Sequence, residues 1–333
     1  MGCGLVADYA HLPAIRDTPG LEIAALYDPD PARLEQAARK FGVSNAFTNC
    51  DEFFGAGLDA VSVTSPAPTH LQNVHAAARH GLHVLCEKPL AMTDRDAGEM
   101  IACMKAAKRM LFTGFCYRFS PVAMKIRELV AARAIGEVRS LRLIYIWDLH
   151  GRWEQNEHGE RVESARWIGR MMEGGPMVDC GVHQIDLARW WLRSEVVRQQ
   201  AAGAWVEEYE APDHMWLHLD HAGGAHTMVE MSFSYTHTAT EPINHFSYHL
   251  IGTEGLIRYD RDGWHFEMRN GNGTQYFPGG DEKNFHGMYA AFAQALETGE
   301  PGDVLASGPD GLIATRIARA ATQSVIANRS LPK

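Results

Sequence analysis

The sequence predicts an α/β domain with a doubly wound parallel sheet, followed by an α+β domain with a large, mostly antiparallel open sheet. Near the start, the strand-like run LEIAALYD (21–28) precedes the helical segment PARLEQAARKFG (31–42), and similar pairs follow. This alternation predicts right-handed crossovers between parallel strands. Later, HTMVEMSFSY (226–235) alternates with a period of two, which is typical of a sheet with one buried face. We expect domains of 1–118 and 119–333.

The remaining elements follow from apolar runs, from helical spacing, and from Pro and Gly at helix ends. In chain order they are a strand at LDAVSVTSP (58–66), a helix at PTHLQNVHAAARHG (68–81), a strand at GLHVLCEKP (81–89), a helix at TDRDAGEMIACMKAAKR (93–109), a strand at MLFTGFC (110–116), a helix at SPVAMKIRELVAARAIG (120–136), a strand at EVRSLRLIYIWDLH (137–150), a helix at 178–193, and helices at FHGMYAAFAQALETG (285–299) and GLIATRIARAATQSVIANRS (311–330).

Composition and charge exclude several classes of partner. The chain has 333 residues, with 31 Lys and Arg against 41 Asp and Glu, a formal net charge of −10. Without a basic block, it has no electrostatic footprint for nucleic acid or for an anionic membrane surface. It shows neither a membrane-length apolar run nor a signal-peptide pattern. Six scattered cysteines without a C-x-x-C spacing indicate reduced thiols, so we expect a cytoplasmic protein without structural zinc.

The first motif lies at the very start of the chain. Gly2, Gly4 and Ala7 spell G-x-G-x-x-A, the turn that lets a backbone approach the pyrophosphate of a dinucleotide. Asp28 follows about 20 residues later, at the end of the next strand-like run, where it would accept hydrogen bonds from ribose hydroxyls. Because the next two residues offer no arginine for a 2′-phosphate, NAD is favoured over NADP. The alternative is that Asp28 only opens the Asp-Pro turn.

The glycine turn should follow a buried strand, yet only Met1 precedes it. In a doubly wound sheet that strand is central, with neighbours on both sides. We therefore expect Met1 to be an internal methionine or the start of a shortened form, preceded by about 5–8 apolar or β-branched residues. The alternative is that this start is genuine and another segment, such as one from a partner subunit, fills the position.

The second motif is CEKPLA (86–91), at the predicted carboxyl end of a parallel strand, where open α/β sheets bind ligands. Lys88 could hydrogen-bond a substrate hydroxyl and assist proton transfer. Pro89 would fix the backbone and is a candidate for a cis peptide bond. The alternative is that Glu87 and Lys88 are solvated loop residues.

The third motif is EGGPMVDCGVHQIDLARWW (173–191). Asp179, His183 and Asp186 are spaced i, i+4 and i+7, which places them on one face of a helix. A histidine one turn from a carboxylate can act as a general base. A metal site would need more ligands, and the other histidines lack a ligand spacing, so we expect no metal.

Together, G-x-G-x-x-A, E-K-P (87–89), G-F-x-Y-R-F (114–119) and G-G-x-x-x-D-x-G-x-H (174–183) resemble the glucose–fructose oxidoreductase/inositol dehydrogenase/MocA family across essentially the whole chain. The resemblance implies a Rossmann domain followed by an antiparallel-sheet domain, and a nicotinamide-dependent oxidoreductase acting on sugars, polyols or cyclitols. It also implies that Lys88, Asp179 and His183 form the catalytic group.

The resemblance and the motifs define two predicted binding sets. The residues expected to bind NAD are Gly2, Cys3, Gly4, Leu5, Val6, Ala7, Asp28, Thr64, Ser65, Pro66, His70, Glu87 and Lys88. The residues expected to bind substrate are Lys88, Tyr117, Arg118, Trp153, Trp167, Asp179 and His183, with Trp147, His150 and Arg152 as further lining candidates.

This chain departs from the family pattern at three places. It has Thr64-Ser65-Pro66-Ala67 where many members have Thr-Pro-Asn, Ile168 after Trp167 where an arginine is common, and Cys116 in place of asparagine. These changes affect the polar contacts of the pocket and leave the catalytic positions in place.

We interpret the sequence as an NAD-dependent oxidoreductase that transfers hydride between the nicotinamide and a secondary hydroxyl of a sugar, polyol or cyclitol. One alternative is an NAD-retaining glycosidase or lyase that works through transient oxidation. Another is a non-catalytic NAD-binding regulator, against which the intact Lys88, Asp179 and His183 count. A sheet exposing residues such as Met231 or Trp216 would need a partner, so we expect a homodimer or homotetramer.

Overall fold

The chain forms two compact units in a computed structural model. The first comprises Met1–Ser120 and Lys283–Ile313, and the second comprises Pro121–Glu282 and Ala314–Lys333. The first unit thus includes a C-terminal segment that a linear division into 1–118 and 119–333 does not anticipate. The described residues are 1–146, 153–156, 158–235, 239–241, 243–280 and 283–329.

Most helices of the described ranges fall close to the predicted segments, whereas those at 50–54 and 165–173 have no predicted counterpart. The α-helices are α1 (Leu12–Asp17), α2 (Pro31–Phe41), α3 (Cys50–Phe54), α4 (His70–Arg79), α5 (Asp94–Ala106), α6 (Pro121–Ala131), α7 (Ala165–Glu173), α8 (Val182–Leu192), α9 (Phe285–Thr298) and α10 (Gly308–Ala327). Two π-helical turns, Ala7–His11 and Met177–Gly181, run directly into α1 and α8. Short 3-10 turns lie at Ala67–Thr69, Cys116–Phe119 and Asp262–Trp264. Within the described residues, no helix combines the length and the apolar character needed to cross a membrane.

The strands of the described ranges divide between the two units. They are β1 (Leu26–Tyr27), β2 (Ala46–Phe47), β3 (Ala60–Val63), β4 (His83–Cys86), β5 (Leu111–Thr113), β6 (Val138–Ile146), β7 (Trp153–Gln155), β8 (Arg161–Glu163), β9 (Val196–Ala204), β10 (His214–His221), β11 (His226–Ser232), β12 (His245–Gly252), β13 (Gly255–Asp260), β14 (His265–Asn270), β15 (Gly273–Tyr276) and β16 (Ala306–Ser307).

Local signals explain where the helices of the first unit begin and end. Asp30 caps α2 by accepting the amide hydrogens of Ala32 and Arg33, and Gly42 ends the helix with φ +68°. Thr93 caps α5 in the same way. These are the caps and stops that polar residues and glycine provide most readily.

The sheet of the first unit is in two pieces. Strands β3, β4 and β5 are parallel, with β16 added antiparallel at the β5 edge. Strands β1 and β2 form a separate parallel pair. Of the predicted strand 21–28, only Leu26–Tyr27 enters a ladder.

A gap separates β1 from β3, and Met1 and Gly2 contact both of its edges. The Met1 amino group donates to Ser62 O (2.9 Å), and Met1 O accepts the amide hydrogen of Thr64 (2.9 Å). The Gly2 amide donates to Tyr27 O (2.8 Å). A cavity of ≈ 770 Å³ lies in this region, lined in part by 21–26 and 58–62. These residues would pair with a strand if one lay between them.

The second unit contains a continuous eight-stranded sheet. Its order is β15-β14-β13-β12-β6-β11-β10-β9, and every neighbouring pair is antiparallel except β6 with β11. This matches the predicted large, mostly antiparallel sheet. Helix α10 reaches one edge, where a Cβ at Gly203 would lie 2.8 Å from Val325.

One face of this sheet is buried, as the period-two pattern predicts. Thr227, Val229 and Met231 of β11 are fully buried. The expectation that Met231 is exposed is therefore wrong, because it packs toward the turn at Gly181, where a Cβ would lie 3.3 Å from its side chain. Trp216 is half-buried, with its ring 4.3 Å from that of His214. Met231 therefore gives no reason to expect a partner subunit.

Candidate active site

The glycine turn makes a close backbone contact in the first unit. Gly2 has φ +93°, and a Cβ there would lie 2.7 Å from Ser65 N, so both conformation and space favour glycine. The Thr64 hydroxyl donates to Gly2 O (2.7 Å), which joins the turn to the loop after β3. The structure thus brings together the predicted residues Gly2, Thr64 and Ser65.

The second glycine opens toward free space. No atom of the described residues lies within 4 Å of a Cβ placed on Gly4. A helix begins immediately afterwards, with Leu5 exposed, Val6 half-buried and Ala7 buried. A helix N-terminus beside open space fits a pyrophosphate, because amide hydrogens and the helix dipole both favour an anion there.

Asp28 is buried and tied to the glycine turn. Its Oδ2 accepts the amide hydrogen of Cys3 (2.7 Å), and its Oδ1 accepts that of Asp30 (2.9 Å). Each carboxylate oxygen can accept more than one hydrogen bond, so ribose hydroxyls can still be recognised here. The fit to a dinucleotide therefore holds at both the glycine turn and the acid.

An arginine that is not adjacent in sequence lies near Asp28. Arg33, in the first turn of α2, has Nη1 3.9 Å from Asp28 Oδ1 and Nη2 3.6 Å from Asp30 Oδ2. The two residues after Asp28 carry no arginine, as the sequence shows, but the first turn of α2 places Arg33 beside Asp28. Its guanidinium is half-exposed, so the charge it contributes is screened by solvent.

His70 bridges two of the predicted loops. Its Nε2 lies 2.8 Å from Ser65 O, and its Nδ1 lies 3.1 Å from Pro89 O and 3.2 Å from Leu90 O. The ring is buried. These contacts hold the loop that follows Ser65 against the E-K-P loop, and binding of NAD by His70 and Pro66 stays a prediction.

The E-K-P loop is anchored through Glu87. Glu87 Oε1 lies 2.8 Å from His11 Nε2, and its Oε2 accepts the amide hydrogen of Lys88 (3.1 Å). His11 Nδ1 lies 2.7 Å from the Tyr289 hydroxyl, which also contacts Ser62 Oγ (2.8 Å). The Lys88–Pro89 bond is cis, as the sequence suggests. The alternative that Glu87 is merely a solvated loop residue is therefore wrong.

His11 and Tyr289 belong to none of the motifs that the sequence shows. Both are buried, and burial raises the pKa of the Tyr289 phenol, which keeps it protonated. His11 stands four residues after Ala7, and this spacing could have drawn attention to it. Tyr289 has no local signal, because it reaches the loop from α9.

Tyr117 and Arg118 lie in the 3-10 turn after β5, and both are buried. Arg118 Nη1 donates to Val304 O (3.3 Å), and its Nη2 lies 3.5 Å from Asp310 Oδ2. The Tyr117 ring lies 5.8 Å from Lys283 Nζ. These contacts link the turn to the C-terminal segment of the unit, and a role in binding substrate stays a prediction for both residues.

The buried cysteines beside the motifs are not activated. Burial raises the pKa of Cys116 to about 12 and raises that of Cys86 well above its ordinary value. Both thiols therefore stay protonated at neutral pH.

In the second unit, Asp179 lies in the π-helical turn 177–181 and His183 in the first turn of α8. Both are buried, as is Asp186. Because the turn is wound as a π-helix, the α-helical spacing used to place Asp179 and His183 on one face does not strictly apply across it. Such turns are frequent at functional sites.

Asp179 is paired with an arginine that the motif did not reveal. Arg170 Nη1 lies 3.4 Å from Asp179 Oδ1 and donates to Glu173 Oε2 (2.9 Å). The Asp179 carboxylate, followed by that of Glu173, raises the pKa of Arg170, so the guanidinium stays charged. Cys180 Sγ lies 3.6 Å from Asp179 Oδ2. No three His, Cys, Asp or Glu side chains of the described ranges group as metal ligands would.

The predicted tryptophans have different surroundings. Trp167 is buried, with its ring 5.1 Å from Tyr209 and 5.2 Å from Phe233. Trp153 is 43 % exposed on the β7–β8 hairpin, with the Arg161 guanidinium 4.7 Å from its ring. Trp153 is thus partly exposed beside Arg161, whereas Trp167 belongs to an aromatic cluster, and substrate binding stays a prediction for both residues. Trp147, His150 and Arg152 lie outside the described residues.

Comparison with known proteins identifies a family domain in each part of the chain. Residues 1–115 match a family described as "Oxidoreductase family, NAD-binding Rossmann fold", and residues 123–258 match the "GFO/IDH/MocA C-terminal domain". A D-apiose dehydrogenase of Paraburkholderia graminis is 30% identical over 277 residues, covering 83% of this chain and 70% of the relative. An inositol 2-dehydrogenase of Rhizobium meliloti is 27% identical, covering 99% and 97%.

A solved structure shows the same fold. An oxidoreductase from Agrobacterium radiobacter, crystallised with NAD+, L-tartaric acid and magnesium, superposes with a TM-score of 0.84 at 24% identity, covering 98% of this chain and 95% of its own. With both halves matched in order, the chain belongs to the GFO/IDH/MocA family of oxidoreductases and has an NAD-binding Rossmann domain.

Proposed function

We propose that this chain is an NAD-dependent dehydrogenase that oxidises a secondary hydroxyl of a sugar, polyol or cyclitol. The relatives named above are dehydrogenases of apiose and inositol, and the matched structure was crystallised with NAD+. The observation that carries the proposal is the presence, in one chain, of a glycine turn open to a pyrophosphate and a buried Asp179–His183 turn.

Each predicted catalytic residue receives a distinct role. His183 accepts the hydroxyl proton as the carbon–hydrogen bond breaks, and the Asp179 carboxylate stabilises the resulting imidazolium. Lys88 donates a hydrogen bond to the same oxygen. Bound NAD supplies the acceptor for the hydride, so the alcohol becomes a ketone and one proton is released.

The chain's own residues hold the cofactor in this proposal. Gly2 and Gly4 let the backbone approach the pyrophosphate at the helix N-terminus, and Asp28 accepts hydrogen bonds from the adenosine ribose. Cys3, Leu5 and Val6 contribute backbone amides. Glu87, held by His11, fixes the backbone at Lys88.

The glycosidase alternative receives no support from the relatives named above, because their names describe oxidation. We also propose, from the cysteine usage and the sheet of the second unit, a cytoplasmic homodimer or homotetramer.

A screen of nicotinamide absorbance across inositols, pentoses, sugar acids and aryl glycosides tests the function. We expect NADH to form with at least one free polyol or sugar, and not with the His183→Ala variant. Cleavage of aryl glycosides without net NADH, or NAD binding without any turnover, would contradict the proposal.

A further inference from the structure

Three charged side chains meet at the end of α7 in the second unit. Arg170 lies between two carboxylates, those of Glu173 (2.9 Å) and Asp179 (3.4 Å). Glu173 and Asp179 are buried, and the Arg170 side chain is 21% exposed. Buried charges of this kind are tolerated only when they are paired, so removing one partner leaves another uncompensated.

The backbone around this cluster is fixed by α10. Arg319 Nη1 donates to Glu173 O (3.0 Å), and the Thr322 hydroxyl donates to Gly174 O (3.1 Å). Gly174 has φ +125°, and a Cβ there would lie 2.5 Å from Val178. The end of α7 and the π-helical turn are thus held in one arrangement, which keeps Arg170 against Asp179.

We propose that Arg170 is a positioning residue that keeps Asp179 ionised and in place, and thereby sets the pH at which His183 can accept a proton. Glu173 opposes it by neutralising part of the guanidinium charge. This inference rests on the proposed function of His183 as the base. It assigns a role to a residue outside the D-x-G-x-H motif.

The sign of the effect follows from charge. Removing the Arg170 cation favours protonation of Asp179 and leaves the charge of the ionised Asp179 uncompensated, so the pKa of Asp179 and, through Asp179, that of His183 should rise. Removing the Glu173 anion leaves more net positive charge beside Asp179, so both should fall. The Cys180 thiol also lies beside Asp179, with Sγ 3.6 Å from Oδ2, and the Arg319 guanidinium of α10 contacts the backbone oxygen of Glu173. An opposite charge at this distance typically changes a pKa by about 1–3 units.

The direct test is an NMR titration of the His183 imidazole in the full chain with NAD, assigned by its loss in His183→Ala. We expect Arg170→Met to raise the His183 pKa by about one unit and Glu173→Gln to lower it. Arg170→Lys keeps the charge and should restore most of the wild-type value. Arg198→Met, which removes an exposed partner of Asp220 in the same unit, should leave it unchanged.

Kinetics give a second, independent readout. For the polyol with the highest rate in the screen, Arg170→Met should lower kcat about tenfold and move its acid limb to higher pH, with the Kd of NAD unchanged. If Arg170→Met does not fold, the titration of Glu173→Gln decides, because Arg170→Lys should stay near the wild-type value in either case.

An unmoved His183 titration in Glu173→Gln, and in Arg170→Met where that variant folds, would overturn the inference. Failure of the proposed function looks different, because His183→Ala would then turn over substrate normally whatever the titration shows.

Discussion

The π-helical turns 7–11 and 177–181 each hold a buried polar side chain in a network of contacts, but the partners of the two side chains differ. The turn 7–11 follows the glycine motif and places His11 between Glu87 and Tyr289. The turn 177–181 places Asp179 beside Arg170. In the first, the polar contacts join the helix after the glycine turn to the E-K-P loop and to α9. In the second, Arg170 pairs with the carboxylate that we propose acts with His183. Variants in the first region should therefore change cofactor binding, and those in the second should change catalysis.

The largest expected effect is on kcat. His183→Ala should lower kcat by roughly 10²–10⁴, the usual contribution of a positioned acid or base, while the Kd of NAD measured by fluorescence changes little. Lys88→Ala should lower kcat to a similar extent although Lys88 lies in the first unit, because we propose that Lys88 donates a hydrogen bond to the reacting oxygen. Near-normal turnover in either variant would show that the residue has no catalytic role.

Cofactor choice tests the first region. Asp28→Ser should reduce the preference for NAD over NADP by about tenfold, because it removes a charged acceptor for ribose hydroxyls. Arg33→Ala is the matched variant and should change the preference less, in the opposite direction, because its guanidinium offsets Asp28. Equal use of both cofactors by the unmodified chain would refute the assignment of Asp28.

Tyr289→Phe tests whether the first region depends on its buried network. The change removes the hydroxyl between His11 Nδ1 and Ser62 Oγ, and an unsatisfied buried group costs about 1–3 kcal/mol of unfolding free energy. Urea unfolding of the two proteins measures this loss of unfolding free energy. Tyr209→Phe, whose half-buried hydroxyl contacts Glu207, is the control and should cost less. Equal losses in the two variants would argue against a special role for the network.

The gap between β1 and β3 predicts the smallest effect. About six apolar, β-branched residues joined ahead of Met1 should pair with both edges and raise the Tm, by roughly 2–4 °C for each kcal/mol gained. A Gly/Ser segment of the same length is the control. The comparison is made by thermal melting with and without NAD. If neither stability nor cofactor affinity improves, the edges do not accept a strand.

Features encoded locally could be predicted from the sequence. The glycine turn, the strand before E-K-P and the alternation of β11 all follow from neighbouring residues, and each is found where expected. The strand 21–28 forms only at Leu26–Tyr27, because ladder bonds need a neighbouring strand as well as apolar residues.

Contacts between distant segments could not be predicted in the same way. Tyr289 reaches Ser62 across 227 positions, and Arg33 returns to Asp28 only because α2 turns back. Arg170 precedes its motif by one helical turn, and its pairing with Asp179 joins α7 to the π-helical turn. Such partners are set by tertiary packing, which periodicity and motif spacing do not encode.

The central claim is that hydride moves from a secondary carbinol carbon to the nicotinamide. The polyol that gives the highest rate in the screen is prepared with deuterium at its carbinol carbons and incubated with NAD. The mass of the NADH that forms is then measured by mass spectrometry. The account predicts that each NADH carries one deuterium and that the rate falls relative to the unlabelled polyol. NADH without deuterium would contradict it.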